Sequence, residues 1–328
     1  IGYVGKKRAL PVLMQGLTNL EYRGYDSAGV CVQERDLVRV RASGKIGKLQ
    51  ARLVDKSLRG TSGIGHTRWA THGVPDEGNA HPHFDCHERV AIVHNGIVEN
   101  YQELRNELIT TGHTFTSQTD SEVLAHLIEG ELTKSSGLTA IRRALKRVRG
   151  TYGLVVIFKD IPQTLFVARM GSPLVIGVGK HEHYIASDPS AILAHTRDMI
   201  FLDDGELAAV SSEGVTLANL DEQPVKKHVE RVIWEVATAQ KNGEAHFMLK
   251  EILEQPEVIE NSTRGRIDLI GTRAVLGGLR DVSERLKEID RIIIVGCGSA
   301  YYAGLVGEYL MEELAGIPVE VELGSEFR

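Results

Sequence analysis

Three short motifs in this sequence hold the residue types that chemistry needs. Arg68 stands in Thr67-Arg68-Trp69-Ala70-Thr71-His72-Gly73, where a planar guanidinium fork can take a carboxylate in bidentate fashion or join a structural ion pair. Asp120 follows Thr119 at the start of a helical pattern. The helix dipole there favours the ionised carboxylate, which suits an ammonium group as well as ordinary capping. A fixed Arg and a fixed Asp together fit the two charged ends of an α-amino acid. Asn95-Gly96 follows an apolar run directly, so an amide side chain and an unobstructed backbone N–H can be aimed at one point, as in an oxyanion hole. The same dipeptide is the leading signal of a tight hairpin turn, but the residues after Gly96 read as helix rather than as a returning strand.

An attacking group is harder to find. Cys31 lies in an apolar strand pattern and Cys86 in a loop, and the sequence specifies no base for either. His66, His72, His81, His83, His87 and His94 form a histidine-rich stretch with Cys86. Their spacing matches no regular zinc-ligand pattern, so they read as loop histidines beside a polar site, and no metal is expected. The nucleophile must come from elsewhere. Near the other end, Gly296-Cys297-Gly298-Ser299 lies between a strand and a helix pattern. Its glycines let backbone approach a phosphate at the helix N-terminus, with the Ser299 hydroxyl as a further donor, or they serve close helix-to-strand packing. Tyr301 occupies the third position of a G-x-G-x-x-G fingerprint, which favours a phosphorylated metabolite over a dinucleotide.

Periodicity supplies the elements that position these residues. Ile1 to Gly5 reads as a strand, Val12 to Leu20 as a helix and Ala28 to Gln33 as a strand, ahead of a polar stretch to about Thr61. Strands are expected over Gly63–His66 and Val90–Val93, each ending in a polar turn. Val98, Tyr101, Leu104 and Leu108 share one helical face that Gly112 stops, and Thr119 with Glu122 fits a capping box. A further helix spans Leu138 to Val148, and short β-rich runs follow from Tyr152 to about Leu220. Strands grouped apart from helices predict an α+β layered domain. A polar stretch from Asp221 to Glu244 places a boundary near Gly243. Beyond it, helices are expected over Phe247–Glu254, Glu257–Thr263 and Thr272–Glu288, then one βαβ unit: Arg291–Val295, Tyr301–Ala315, Val319–Leu323. Two parallel strands cannot cover both their faces, so this second domain is expected to continue past Arg328.

At roughly 100 to 200 residues per domain, 328 residues make about two domains. With 38 Lys plus Arg against 44 Asp plus Glu, the formal charge is −6. No excess positive field exists to attract nucleic acid or anionic lipid, so small molecules or protein are the expected partners. Three widely spaced cysteines suit reduced thiols in the cytoplasm. No apolar run approaches the roughly 18 residues of a membrane helix, and no signal-peptide pattern is visible, so a soluble, non-exported protein is expected.

Glu21-Tyr22-Arg23-Gly24-Tyr25-Asp26-Ser27-Ala28-Gly29, His66 through Gly73, Asn79-Ala80-His81-Pro82-His83, His94-Asn95-Gly96 and Thr119-Asp120-Ser121-Glu122 strongly resemble the isomerising glutamine–fructose-6-phosphate aminotransferase family. The likeness continues through Ser187-Asp188, Phe247 to Glu251, Glu254-Gln255-Pro256 and Pro318 to Glu322. It implies an αββα N-terminal-nucleophile glutaminase sandwich, a class II amidotransferase domain at 1–238. A linker at 239–245 follows, then the opening of an α/β sugar isomerase (SIS) domain at 246–328. By the same resemblance Asn95 and Gly96 form the oxyanion hole, Arg23 orders the nucleophile's surroundings, and Arg68, Thr71, His72 and Asp120 bind glutamine. Trp69 gates an ammonia path, and Gly298 and Ser299 contact the sugar phosphate. The family's nucleophile is a cysteine that begins Cys-Gly-Ile, before this chain's Gly-Tyr-Val-Gly strand, so the chain as given is expected to be inactive. The implied substrates are L-glutamine and fructose 6-phosphate, the product glucosamine 6-phosphate on the route to UDP-N-acetylglucosamine. No cofactor is implied, and the assembly implied is a cytoplasmic homodimer. Where the family often has Cys-Gly-Thr-Ser, this chain has Cys297-Gly298-Ser299-Ala300. That keeps two other readings open: an amidotransferase for another phosphosugar, and a catalytically dead regulatory paralogue.

Overall fold

The computed structural model describes residues 1–21, 24, 26–69, 74–132, 137–232, 244, 246–263, 267–268, 273–274 and 282–327. They form two compact units, Ile1–Gly243 and Glu244–Arg328. The strands of the first unit begin with β1 (Gly2–Val4), β2 (Ser27–Gln33), β3 (Leu37–Ser43), β4 (Ser62–Arg68), β5 (His83–Phe84), β6 (Val90–Val98) and β7 (Gly150–Phe158). They continue with β8 (Thr164–Met170), β9 (Val175–Gly179), β10 (Glu182–Ala186), β11 (Asp198–Phe201), β12 (Glu206–Ser211), β13 (Val215–Asn219) and β14 (Glu230–Arg231). Its helices are α1 (Ala9–Leu20), α2 (Ile46–Leu53), α3 (Tyr101–Thr110), α4 (Glu122–Leu132) and α5 (Gly137–Leu145). One antiparallel sheet runs β14-β11-β9-β10-β1-β4-β2-β3 and the other β13-β12-β8-β7-β6-β5.

Alternation along the strands explains the layering, because successive side chains point to opposite faces. In β6 and β7, Val90, Ile92, Leu154, Val156 and Phe158 pack against α3, α4 and α5, while Ala91, Val93, Val155 and Ile157 meet Ile64, Ile176 and Ile185 of the other sheet. In β2, Ala28, Val30 and Val32 face α1 and α2. Cys31 points the other way into the space between the sheets, where burial drives its thiol pKa far up. The result is an αββα sandwich with three apolar interiors, two under the helices and one between the sheets. None of the described helices is long and apolar enough to cross a membrane.

The sequence reading and the structure differ in places. The polar stretch after Gln33 contains β3 and α2. Alternating Leu37, Val38, Val40 and Ala42 pair with β2 there, and Ile46, Leu49 and Leu53 are the buried face of α2. β6 does not stop at Val93 but runs through Asn95-Gly96 to Val98, opposite Gly150–Gly153 of β7. In the second unit, α6 (Phe247–Thr263) is one helix with Pro256 inside it rather than two, since a proline removes a single i→i−4 bond when its neighbours hold the turn. No helix spans 272–288. The described residues there give β15 (Ile267–Asp268) paired with β16 (Arg273–Ala274), and the four-residue α7 (Ser283–Leu286). The βαβ unit is present as β17 (Ile292–Gly296), α8 (Ser299–Ala315) and β18 (Val319–Leu323), with β17 and β18 parallel.

Candidate active site

β4 and β6, neighbours across the two sheets, both end at one cleft. A cavity of about 210 Å³ is lined by His66, Thr67, Arg68 and Trp69 of the β4 end and by His94, Asn95 and Gly96 of β6. His81 and Thr119-Asp120-Ser121, which lead into α4, complete it. A second cavity of about 150 Å³ shares His66, Thr67 and Asn95 and adds Ile1, Leu17, Val155 and Ser187. Ile1 leads into β1, and its backbone nitrogen donates to the Gly65 carbonyl at 2.8 Å.

The local geometry follows from sequence. Gly96 has φ +145°, and a Cβ there would stand 2.1 Å from the Thr151 carbonyl oxygen. A residue with a side chain cannot hold this conformation against β7, so glycine is required at this point of the ladder. Asn95, one step before, is exposed to the cleft. Arg68 is buried at the last position of β4, and its Nη1 donates to the Val74 carbonyl at 3.4 Å. Burial lowers its pKa, and Asp26, Asp120 and Asp76 oppose that, so its charge is retained against nearby carboxylates. Asp120 is buried and accepts the Val98 N–H at 2.8 Å, which ties the residue ahead of α4 to the end of β6. Trp69 remains 62% exposed at the rim.

A second tie was not legible in the sequence. His94 Nε2 lies 3.2 Å from the Thr151 carbonyl, which can only accept, so Nε2 carries the proton and Nδ1 accepts from Ser121 Oγ at 2.9 Å. His94 therefore joins the residue before Asn95 to the residue after Asp120. Both motifs were visible in the sequence, but nothing in it showed that they meet. The capping box is formed in part: Glu122 N–H reaches Thr119 Oγ1 at 3.4 Å, while the Glu122 carboxylate turns to Thr116 and Ser117 instead.

Three of these histidines are strand residues rather than loop residues, since His66, His83 and His94 belong to β4, β5 and β6, while His81 and His87 lie in loops and His72 is outside the described residues. The rings of His66 and His81 meet at a tilt with centroids 4.3 Å apart, and those of His81 and His83 meet edge-on at 4.5 Å. Burial holds all three, and His94, below the ordinary imidazole pKa, so they are neutral near pH 7. Cys31 borders neither cavity, and neither does Cys86.

The structure thus brings Arg68, Trp69, Asn95, Gly96 and Asp120 to one cavity. Arg23, Thr71 and His72 lie outside the described residues. Gly298 and Ser299 belong to the other unit, where Gly298 has φ +58° at the head of α8 and nothing within 4 Å of a notional Cβ. Close helix-to-strand packing falls on Gly296 of the same turn, where a Cβ would lie 3.0 Å from the Tyr301 backbone nitrogen of α8, and on Gly304, where a Cβ would lie 3.0 Å from Ile294 and Val321. Gly298 therefore serves conformation and leaves open space before the helix.

Comparison with known proteins bears on the family and the fold. Residues 285–328 match the SIS domain family. Glutamine–fructose-6-phosphate aminotransferase (isomerizing) of Clostridium tetani (strain Massachusetts / E88) is 45% identical over 329 residues, covering 100% of this chain and 54% of that protein. The protein of the same name from Pyrococcus horikoshii is 47% identical over 335 residues, again 100% of this chain and 54% of that protein. The chain spans about half the length of the curated relatives it matches. Among solved structures, the glutamine phosphoribosylpyrophosphate amidotransferase of B. subtilis superposes with a TM-score of 0.59 at 22% identity, over 98% of this chain and 64% of that one, which establishes the fold. Residues 47–245, more than half of the chain, match the glutamine amidotransferase domain, and the chain is therefore a member of that family.

Proposed function

We propose that this chain carries the glutamine-hydrolysing half of an isomerising glutamine–fructose-6-phosphate aminotransferase, together with the start of the sugar-binding half. The observation that carries this reading is the meeting of Arg68, Asp120 and Asn95-Gly96 in one cavity. Arg68 takes the α-carboxylate of glutamine and Asp120 its α-ammonium, which fixes the side-chain amide toward β6. The nucleophile is a cysteine thiolate at the residue that the family places just ahead of Gly-Ile. Ile1 borders the cavity that shares Asn95, so a segment joined to it enters the same cleft.

Sulfur attacks the amide carbon, and the carbonyl oxygen becomes an oxyanion held by the Asn95 amide and the Gly96 N–H. The C–N bond then breaks, nitrogen leaves as ammonia with a proton from the cysteine's own α-ammonium, and a glutamyl thioester remains. Water hydrolyses that thioester to glutamate. An α-amine, with an ordinary pKa of about 7.7 to 8.0, suits this shuttle near neutral pH. Trp69 at the rim is the gate through which ammonia leaves toward fructose 6-phosphate, and Gly298 with Ser299 meets the sugar phosphate. Arg23, Thr71 and His72 complete the glutamine pocket.

The test is glutamate release from glutamine by this chain and by the same chain with Cys-Gly-Ile restored ahead of Ile1 and its N-terminal amine free. Activity in the second alone is the expected result. Equal activity in both would overturn the assigned nucleophile. With the complete protein and fructose 6-phosphate, mass spectrometry should find glucosamine 6-phosphate, and a different amino sugar would move the chain to another phosphosugar.

A further inference from the structure

Away from the cleft, three side chains that are distant in sequence converge. Cys86 Sγ lies 3.4 Å from His126 Nδ1 and 3.6 Å from His113 Nδ1, and the three atoms all lie within 4.8 Å of one another. We infer that Cys86, His113 and His126 form a binding site for Zn²⁺.

The distances fit the ion. Zinc–sulfur bonds of about 2.3 Å and zinc–nitrogen bonds of about 2.0 to 2.1 Å at tetrahedral angles put sulfur and nitrogen about 3.6 Å apart. Hydrogen bonding alone serves the cluster poorly. Two imidazole nitrogens and the Thr114 carbonyl, the last at 3.6 Å, face one thiol, whose single proton serves one of them, so hydrogen bonding would need a ring N–H turned on the sulfur. The Thr114 N–H already donates to that sulfur at 3.2 Å. A cation answers both ring lone pairs and the sulfur at once. Thiolate with two imidazoles is a donor set for zinc, not for calcium or magnesium.

Each ligand is held by its own element. Cys86 sits in the turn between β5 and β6, where the Asp85 carboxylate accepts the N–H groups of His87, Arg89 and Val90 at 2.9, 2.8 and 2.7 Å. His113 follows the C-terminal stop of α3, with Gly112 at φ +97° and the His113 N–H on the Leu108 carbonyl at 3.0 Å. His126 is fully buried in α4, with Phe115 against its ring at 4.3 Å between centroids. With Nδ1 turned to the metal, His126 Nε2 is left buried without a hydrogen-bond partner among the described residues, 3.7 Å from Glu122 Oε1, on the side where an outer carboxylate commonly orients a ligating imidazole. The fourth position falls to water or to Glu129, whose Oε2 is 3.9 Å from His113 Nδ1. The histidine-rich stretch showed no ligand spacing because two of the ligands lie outside it, 27 and 40 residues beyond Cys86.

Purified full chain, stripped with chelator and shown to be folded, is titrated with Co²⁺ and separately with Zn²⁺. Co²⁺ should give a thiolate-to-cobalt charge-transfer band with intense tetrahedral visible bands, lost in Cys86→Ser and weakened in His113→Gln, a partly exposed position chosen in case changes at buried His126 unfold the chain. Zn²⁺ should block alkylation of Cys86 while Cys297, also an exposed free thiol, stays reactive as the internal control. An octahedral cobalt spectrum without charge transfer, or equal alkylation of Cys86 with and without Zn²⁺, would overturn the site.

Discussion

The two units use the same kinds of residue to opposite extents. In the sandwich, β6 and β7 are covered on both faces and the side chains from Leu154 to Phe158 are buried. In the βαβ unit, Ile293 and Val295 of β17 alternate with half-buried neighbours and stay more than 40% exposed, and Tyr309 and Leu314 of α8 are 75% and 81% exposed. The contrast teaches that apolar content does not make a core. The sandwich supplies a second sheet and helices to close over each strand, whereas two parallel strands and one helix cannot cover both faces of their sheet.

The largest expected effect contrasts two truncations. Phe158→Ala, in the sandwich under α4 and α5, should destabilise this chain by about 3 to 5 kcal/mol, and Tyr309→Ala by less than about 0.5 kcal/mol. Urea unfolding followed by circular dichroism reads both, and comparable losses would break the contrast. Next, in a chain with cysteine restored ahead of Gly-Ile, Asn95→Ala should lower glutamine turnover by about 10²-fold or more, since an oxyanion donor is removed. A near-normal kcat would remove Asn95 from that role. In the same chain Arg68→Ala should raise the glutamine KM by about 10- to 100-fold, the range for losing charged hydrogen bonds, and an unchanged KM would release Arg68 from the carboxylate.

A further effect concerns pH. His66, His81, His83 and His94 are held below the ordinary pKa of 6.5 by burial. Below that pH the unfolded chain binds more protons than the folded one, so stability is present above about pH 6.5 and falls as pH drops through it. The melting midpoint of the sandwich should therefore decrease between about pH 7.5 and about pH 5.5. A flat or rising midpoint would mean that these rings meet water in the fold.

Much of the αββα layering was legible, because strands such as Val90–Val93 and Tyr152–Phe158 are apolar throughout and helices such as α4 carry clear apolar faces. The ends of elements were harder to see. Asn95-Gly96 reads locally as a break, and only pairing with Gly150–Gly153, more than fifty residues on, shows it to be mid-strand. β3 and α2 were hidden by arginines and lysines whose stems lie along a half-covered surface. The cavity residues Arg68, Asn95 and Asp120 were individually legible, because guanidinium, carboxylate and amide groups beside strand ends are unusual. Their convergence was not, and neither were the His94 to Ser121 tie or the approach of Cys86 to two histidines, because both depend on contacts between distant segments.

The mid-strand position of Asn95-Gly96 bears on the entropy of catalysis. A dipeptide on a free turn would have to freeze its torsions as glutamine arrives, and that ordering would subtract from binding. Here the ladder to β7 and the clash that any side chain at residue 96 would meet have already fixed those torsions. On the proposed role, the backbone that carries both oxyanion donors therefore stands ordered before any substrate arrives, and that ordering is spent once, when the chain folds.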